Sequence, residues 1–288
     1  MPRNNRSRAG VEDAPDRKSP ENASAATTLP GSLDFVVPTE FVELPSGGRY
    51  YPEGHPLHGQ DTVEIKYMTT KQEDILTSQT LLKKGVAINR MLQSILVTPN
   101  LDIKDLLVGD KNAITVAARI SGYGSDYSAQ MSCPSCNHVD KAQIDLSASS
   151  QHFDGTEWAS LAIENGENGT FIITLPKTEV LMEVRLMNGH DEARIQAEIA
   201  KQKKHNLRTS TLSDQMKLVT VSLNGITDRA QISNFIGNMP ALDAKYFRKA
   251  YQMVTPSIRL THEYTCPQCD YEADLEVPLQ AEFFWPQS

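Results

Sequence analysis

MSCPSCNHVDKAQIDL at residues 131–146 and YTCPQCDYEADLEVPL at residues 264–279 are two versions of one pattern. Each runs from extended residues into Cys-Pro-x-Cys, then a turn residue, then a second alternating stretch. That is the layout of a hairpin carrying a metal knuckle at its tip. Two residues between the cysteines let both thiolates face one ion at about 2.3 Å. Pro134 and Pro267 preset the bend. Such knuckles commonly need a left-handed residue after the second cysteine, and Asn137 and Asp270 stand there, the non-glycine types that adopt it most readily. One pair offers only two ligands, whereas structural zinc takes four in a tetrahedron. The two hairpins are therefore expected to meet around one zinc ion per chain, held by Cys133, Cys136, Cys266 and Cys269. Cys136 and Cys266 stand 130 positions apart, so the ion would close a long excursion and stabilise the fold by removing loop freedom.

Other readings of the cysteines fit less well. A redox Cys-x-x-C pair usually sits where a strand enters a helix, but both pairs here are followed by polar, alternating stretches. Disulfides belong to oxidising compartments, and the chain has neither a secretory signal nor a run of about 18 apolar residues to span a bilayer. Four thiolates also leave no open position for water, which disfavours a catalytic zinc. His138 and His262 lie nearby, but four cysteines already satisfy the ion.

No enzyme signature emerges elsewhere. His262-Glu263 has Cys266 where a zinc protease needs its second histidine, and the prolines lie inside the cysteine pairs rather than before them, as a zinc deaminase requires. Glycine-rich phosphate loops and nucleophile elbows are missing from the sequence. A net charge of −8 disfavours a nucleic-acid coat. The competing class is a zinc-ribbon nucleic-acid module, which needs a basic stripe beside the knuckles. Asp140, Asp145, Glu272, Asp274 and Glu276 make these hairpins acidic instead. Neither a catalytic residue nor a small-molecule substrate is expected.

The remaining sequence predicts an α+β fold built around the knuckle pair. Residues 1–34 mix both charges with Pro, Ser, Ala and Asn and read as a disordered tail. Residues 35–146 form a first α+β part that includes the first knuckle. FVVPTEFVELPSGGRYYPEGHPL reads as extended pieces between turns, and VEIKYM, 63–68, as a strand. Thr70 and Glu73 suggest a capping box that opens a helix ending near Gly85. Further helices are expected over 89–97 and 110–120. Residues 147–239 are expected to be a largely helical insertion, with strands at 171–175 and 183–187 and helices over 191–205 and 213–223. Residues 240–288 supply a helix from Asp243, as N-cap, to Val254, then the second knuckle.

MTTKQEDILTSQTLLKKG, then LLVGDKNAITVAARISGYGSDY running into CPSC, then MPALDAKYFRKAYQMVTPSIRLTHEYTCPQC and a terminal FFWP carry a family resemblance. In this order they resemble the T-even-type (T-four-like) bacteriophage baseplate hub and hub-assembly proteins. The resemblance spans about residues 41–286 and is weakest across 147–178. It implies a structural or assembly component of a contractile tail's baseplate, binding other baseplate or hub proteins. Such a protein is made in the cytoplasm of an infected bacterium. Phe283, Phe284 and Trp285 suggest where one partner docks. In an extended strand, three adjacent aromatics cannot all face inward, and clustered aromatics favour interfaces.

Overall fold

The computed structural model describes residues 36–156, 158, 161–204, 211–277 and 281–284. The tail expected over residues 1–34 lies outside them. Strand β1 (Thr39–Glu43) pairs antiparallel with β2 (Thr62–Lys66), Thr39 opposite Lys66 and Glu43 opposite Thr62. The period-two pattern buries Val63 and Ile65 and leaves Lys66 exposed. Helices α1 (Thr70–Thr77), α2 (Gln79–Lys83) and α3 (Ala87–Ile95) follow. The single helix expected up to Gly85 is broken at Ser78, which is extended, with ψ 108°. Its N-cap is Thr69 rather than Thr70, and Gln72 Oε1 accepts from the Thr69 amide at 3.0 Å.

Helix α4 (Val108–Tyr123) is buried around much of its circumference, including Ala113, Ile114, Val116, Ala118, Asp110 and Arg119. Such a helix needs small residues at close approaches and partners for every polar group. At Gly109 a Cβ would stand 1.9 Å from the Pro256 carbonyl oxygen, so only glycine lets the chains meet there. Asp110 accepts from the Ser46 amide at 3.0 Å, the Ser46 hydroxyl at 2.6 Å and the Tyr51 hydroxyl at 2.7 Å. The Tyr51 hydroxyl in turn accepts from the Leu107 amide at 3.1 Å. The irregular stretch before β2 is thereby fastened to the start of α4.

The first ribbon is β3 (Asp126–Ser132) with β4 (Val139–Asp145). One turn, α5 (Leu146–Ser149), leads to β5 (Ser150–Phe153). Strands β6 (Ile163–Asn165), β7 (Thr170–Thr174), β8 (Leu181–Arg185) and β9 (Thr220–Leu223) form an antiparallel sheet in that order. Between β8 and β9 lie α6 (Gly189–Lys204) and α7 (Thr211–Val219). After β9 come α8 (Arg229–Asn238), α9 (Ala241–Val254), β10 (Ser257–Thr265), β11 (Glu272–Glu276) and a 3-10 turn, Ala281–Phe284.

Residues 147–239 thus hold a four-stranded sheet beside their helices. The helix expected over 213–223 stops at Val219, because Thr220–Leu223 adds an edge strand beside β8 and buries Thr220, Ser222 and Leu223. Asp243 is not the cap of its helix: Pro240 takes that position. The buried carboxylate accepts from the Lys177 amide at 2.8 Å, the Thr178 amide at 3.0 Å and the Thr178 hydroxyl at 2.8 Å. Arg185 of β8 grips Asp191 in the first turn of α6 with bonds of 2.5 and 2.8 Å. Apolar side chains from both ribbons, α3, α4, the four-stranded sheet and α9 share one continuous core.

Replacing Asp110 by Ala strands the Ser46 and Tyr51 donors in the core, and should cost about 3 kcal/mol in urea unfolding. Burial opposes ionisation of Asp191, but Arg185 and the Asn188 amide together outweigh it and hold the carboxyl below its ordinary range. The folded-state pKa is depressed, so its stabilisation is present at neutral pH and lost as pH falls through the folded value. Urea midpoints should drop below about pH 4, and Asp191→Asn should make that drop shallower.

Candidate metal centre

Each knuckle is set by local backbone geometry. Asn137 and Asp270 have φ of 58° and 55°, the left-handed turn that the sequence predicts. In the first knuckle the Asn137 amide donates to the Cys133 carbonyl at 2.9 Å, and the Cys133 amide to the His138 carbonyl at 2.8 Å. The second repeats this with Asp270 to Cys266 at 3.0 Å and Cys266 to Tyr271 at 2.9 Å. Cys133 and Cys266 are buried, and Cys136 and Cys269 are exposed at the rim.

The tips meet. Cys133 Sγ lies 3.7 Å from Cys269 Sγ, and Cys136 Sγ lies 3.6 Å from Cys266 Sγ. All four sulfurs lie within 4.8 Å of one another. A regular tetrahedron with metal–sulfur bonds of about 2.3 Å has edges of about 3.8 Å, so the set fits one ion. Both cross-knuckle separations far exceed the roughly 2.05 Å of a disulfide. Among the described residues, no other group of His, Cys, Asp and Glu side chains converges this way, and His138 and His262 stay outside the set.

The sulfurs do not ionise alike. Burial resists charge on Cys266, but the amides of Gln268 and Cys269 and the neighbouring Cys136 and Cys269 thiols overcome it, and its pKa falls to about 6. The His138 amide favours the Cys136 thiolate, yet desolvation and the three other sulfurs push that thiol up to about 12. Thiolates crowded this closely repel one another, and a dication at the centre would relieve that repulsion.

The knuckles also converge through the backbone. The first half of β10 pairs with β5, from Ser257 opposite Phe153 to Leu260 opposite Ser150, and its second half pairs with β11. β5 follows the first ribbon after a single turn, so this ladder draws the second ribbon beside the first. Arg119, buried on α4, donates to the carbonyls of Gly124 at 2.6 Å, Asp126 at 3.0 Å and Phe283 at 2.9 Å. It joins the base of the first ribbon to the turn after the second. In the sequence the joint shows only as a lone arginine among small and apolar residues in AARIS.

Phe283 and Phe284, expected beside Trp285 to dock a partner, are both buried, 1% and 0% exposed. The segment is a 3-10 turn rather than an extended strand, so adjacent side chains need not point oppositely. Phe283 packs edge-on to Tyr127 at 5.1 Å and to Phe284 at 5.6 Å. Trp285 lies outside the described residues.

The structure defines an α+β protein in which two cysteine knuckles form one four-sulfur centre. The chain belongs to the family described as T4 bacteriophage base plate protein, which matches residues 37–285. It is thus a T4-like baseplate protein. No curated protein and no solved structure matches the chain. No helix among the described residues is long and apolar enough to cross a membrane.

Because Phe284 is core, Phe284→Ala should lower unfolding stability by about 3–5 kcal/mol. An unchanged urea midpoint would restore the docking role.

Proposed function

We propose that this chain is a structural or assembly component of the baseplate hub of a contractile-tailed phage, acting by protein–protein binding and clipped by one structural zinc ion. The observation that carries the reading is the four-sulfur cluster inside a chain of the baseplate family. Cys133, Cys136, Cys266 and Cys269 would hold the ion, which would join residues 35–146 to residues 240–288, with 147–239 inserted between them. Four thiolates in a tetrahedron suit zinc or iron. Zinc is favoured because a structural clip has no use for redox change.

The fate of the buried polar groups supports binding over catalysis. Asp110, Asp191 and Asp243 are each consumed by hydrogen bonds that tie distant elements together. Tyr251, beside an open groove between α7, α9 and β10, donates to the Arg185 carbonyl at 3.2 Å and accepts from the Met187 amide at 3.1 Å. The acidic ribbons support protein partners over nucleic acid. In this reading the chain acts in the infected cell's cytoplasm during assembly and then in the tail baseplate.

Protein purified without added metal should contain one zinc per chain by elemental analysis, and a serine at any of the four positions should lower both zinc content and solubility. Iron, or no metal with four free thiols, would overturn the zinc clip. The ligands bind as thiolates, so loading releases protons and affinity must fall on acidification, by more than about tenfold per pH unit. For the hub role, mass spectrometry of purified virions and of hub intermediates from infected cells should find the chain in one or both. Its absence from both would contradict that role.

A further inference from the structure

Between α7, α9 and the β10–β11 ribbon lies an open groove of about 740 Å³. Leu212, Met216, Phe247 and Leu260 give it an apolar lining, and Leu212 stays 54% exposed. Its two rims differ in charge. On the α9 rim, Arg248 lines the groove, and Lys245, one turn earlier, and Lys249 extend the positive charge over the helix surface, all three exposed. On the ribbon rim, Glu276 lines the groove, and alternation along β11 sets Asp274 and Glu272 on the same exposed face. Glu263 of β10 is also exposed and stands directly opposite Asp274. Arg259, the other cation lining the groove, lies over the Phe153 ring at 3.9 Å.

Among the described residues, neither these α9 cations nor these ribbon carboxylates have an ion-pair partner. Like charges directly opposite across a ladder destabilise it, so a basic cover relieves the ribbon face, and the α9 face calls for an acidic one. A partner of one charge sign answers only one rim. A second copy answers both: a two-fold axis through the groove sets each ribbon against the other copy's α9, because an isologous contact pairs i with j and j with i. We infer that this face docks a second copy of the chain, forming a closed dimer in which Glu272 and Asp274 of each ribbon meet Lys245 and Arg248 of the other copy. The rim charges set the orientation, and the apolar lining gains by losing water. This deepens the protein-binding reading above by naming one partner.

Sedimentation of the full chain should give a dimer in about 0.1 M salt that weakens at about 1 M, where the Debye length falls from about 10 Å to about 3 Å. Lys245→Glu with Arg248→Glu, and separately Glu272→Lys with Asp274→Lys, should each weaken self-association by at least about tenfold. An equimolar mixture of the two variants should recover the dimer, because each offers the other the charge it lacks, and a misfolded variant could not. A photocrosslinker in place of Leu212 should join two copies. A monomer at low salt, a dimer indifferent to salt, variants that associate like the unaltered chain, a mixture that stays monomeric, or open-ended assemblies would each overturn the inference. So would crosslinks in infected cells that join the groove only to a different chain. None of these results touches the baseplate reading, which fails instead if the chain is absent from both virions and hub intermediates.

Discussion

Two ribbon tips carrying two cysteines each are brought together across 130 positions of chain, and much of the architecture serves that meeting. The loop-closure cost of such an excursion is met in several places rather than by an ion alone. The β5–β10 ladder lays the second ribbon beside the first, and Gly109 lets α4 touch the chain where β10 begins. Arg119 then fastens the far end of α4 to the first ribbon and to the final turn. The sulfurs arrive at tetrahedral spacing because backbone has already placed both knuckles. An ion would lock a geometry that the polypeptide prepares.

The same economy governs the buried carboxylates. Asp110, Asp191 and Asp243 sit at or near helix N-termini, where the helix dipole favours negative charge. Each also accepts hydrogen bonds from residues outside its own helix. Every such tie converts a buried polar group, costly if left unpaired, into a fixed distance between elements. A chain stiffened in this way suits a part whose task is to present surfaces in set orientations.

Local features were the most legible in the sequence. The Cys-Pro-x-Cys spacing and the left-handed Asn137 and Asp270 follow from short-range sterics, and both appear as expected. The α+β class and the strands around Ile65, Ile173 and Val184 follow from period-two alternation. Features set by distant partners were not readable. Strand β5 carries no decisive local pattern, and Thr220–Leu223 becomes a strand only because β8 offers it an edge. Asp243 resembles a cap by residue type, yet Lys177 and Thr178, far away in sequence, claim it. An extended backbone cannot turn three adjacent aromatics inward, whereas a 3-10 turn packs Phe283 and Phe284 both inside.

X-ray absorption at the zinc edge, on protein isolated without added metal, tests the central claim most directly. One shell of four sulfur scatterers at about 2.3 Å is the predicted result. A shell containing nitrogen or oxygen, or a sulfur number near two, would mean that the two knuckles do not share one ion, and would contradict the account.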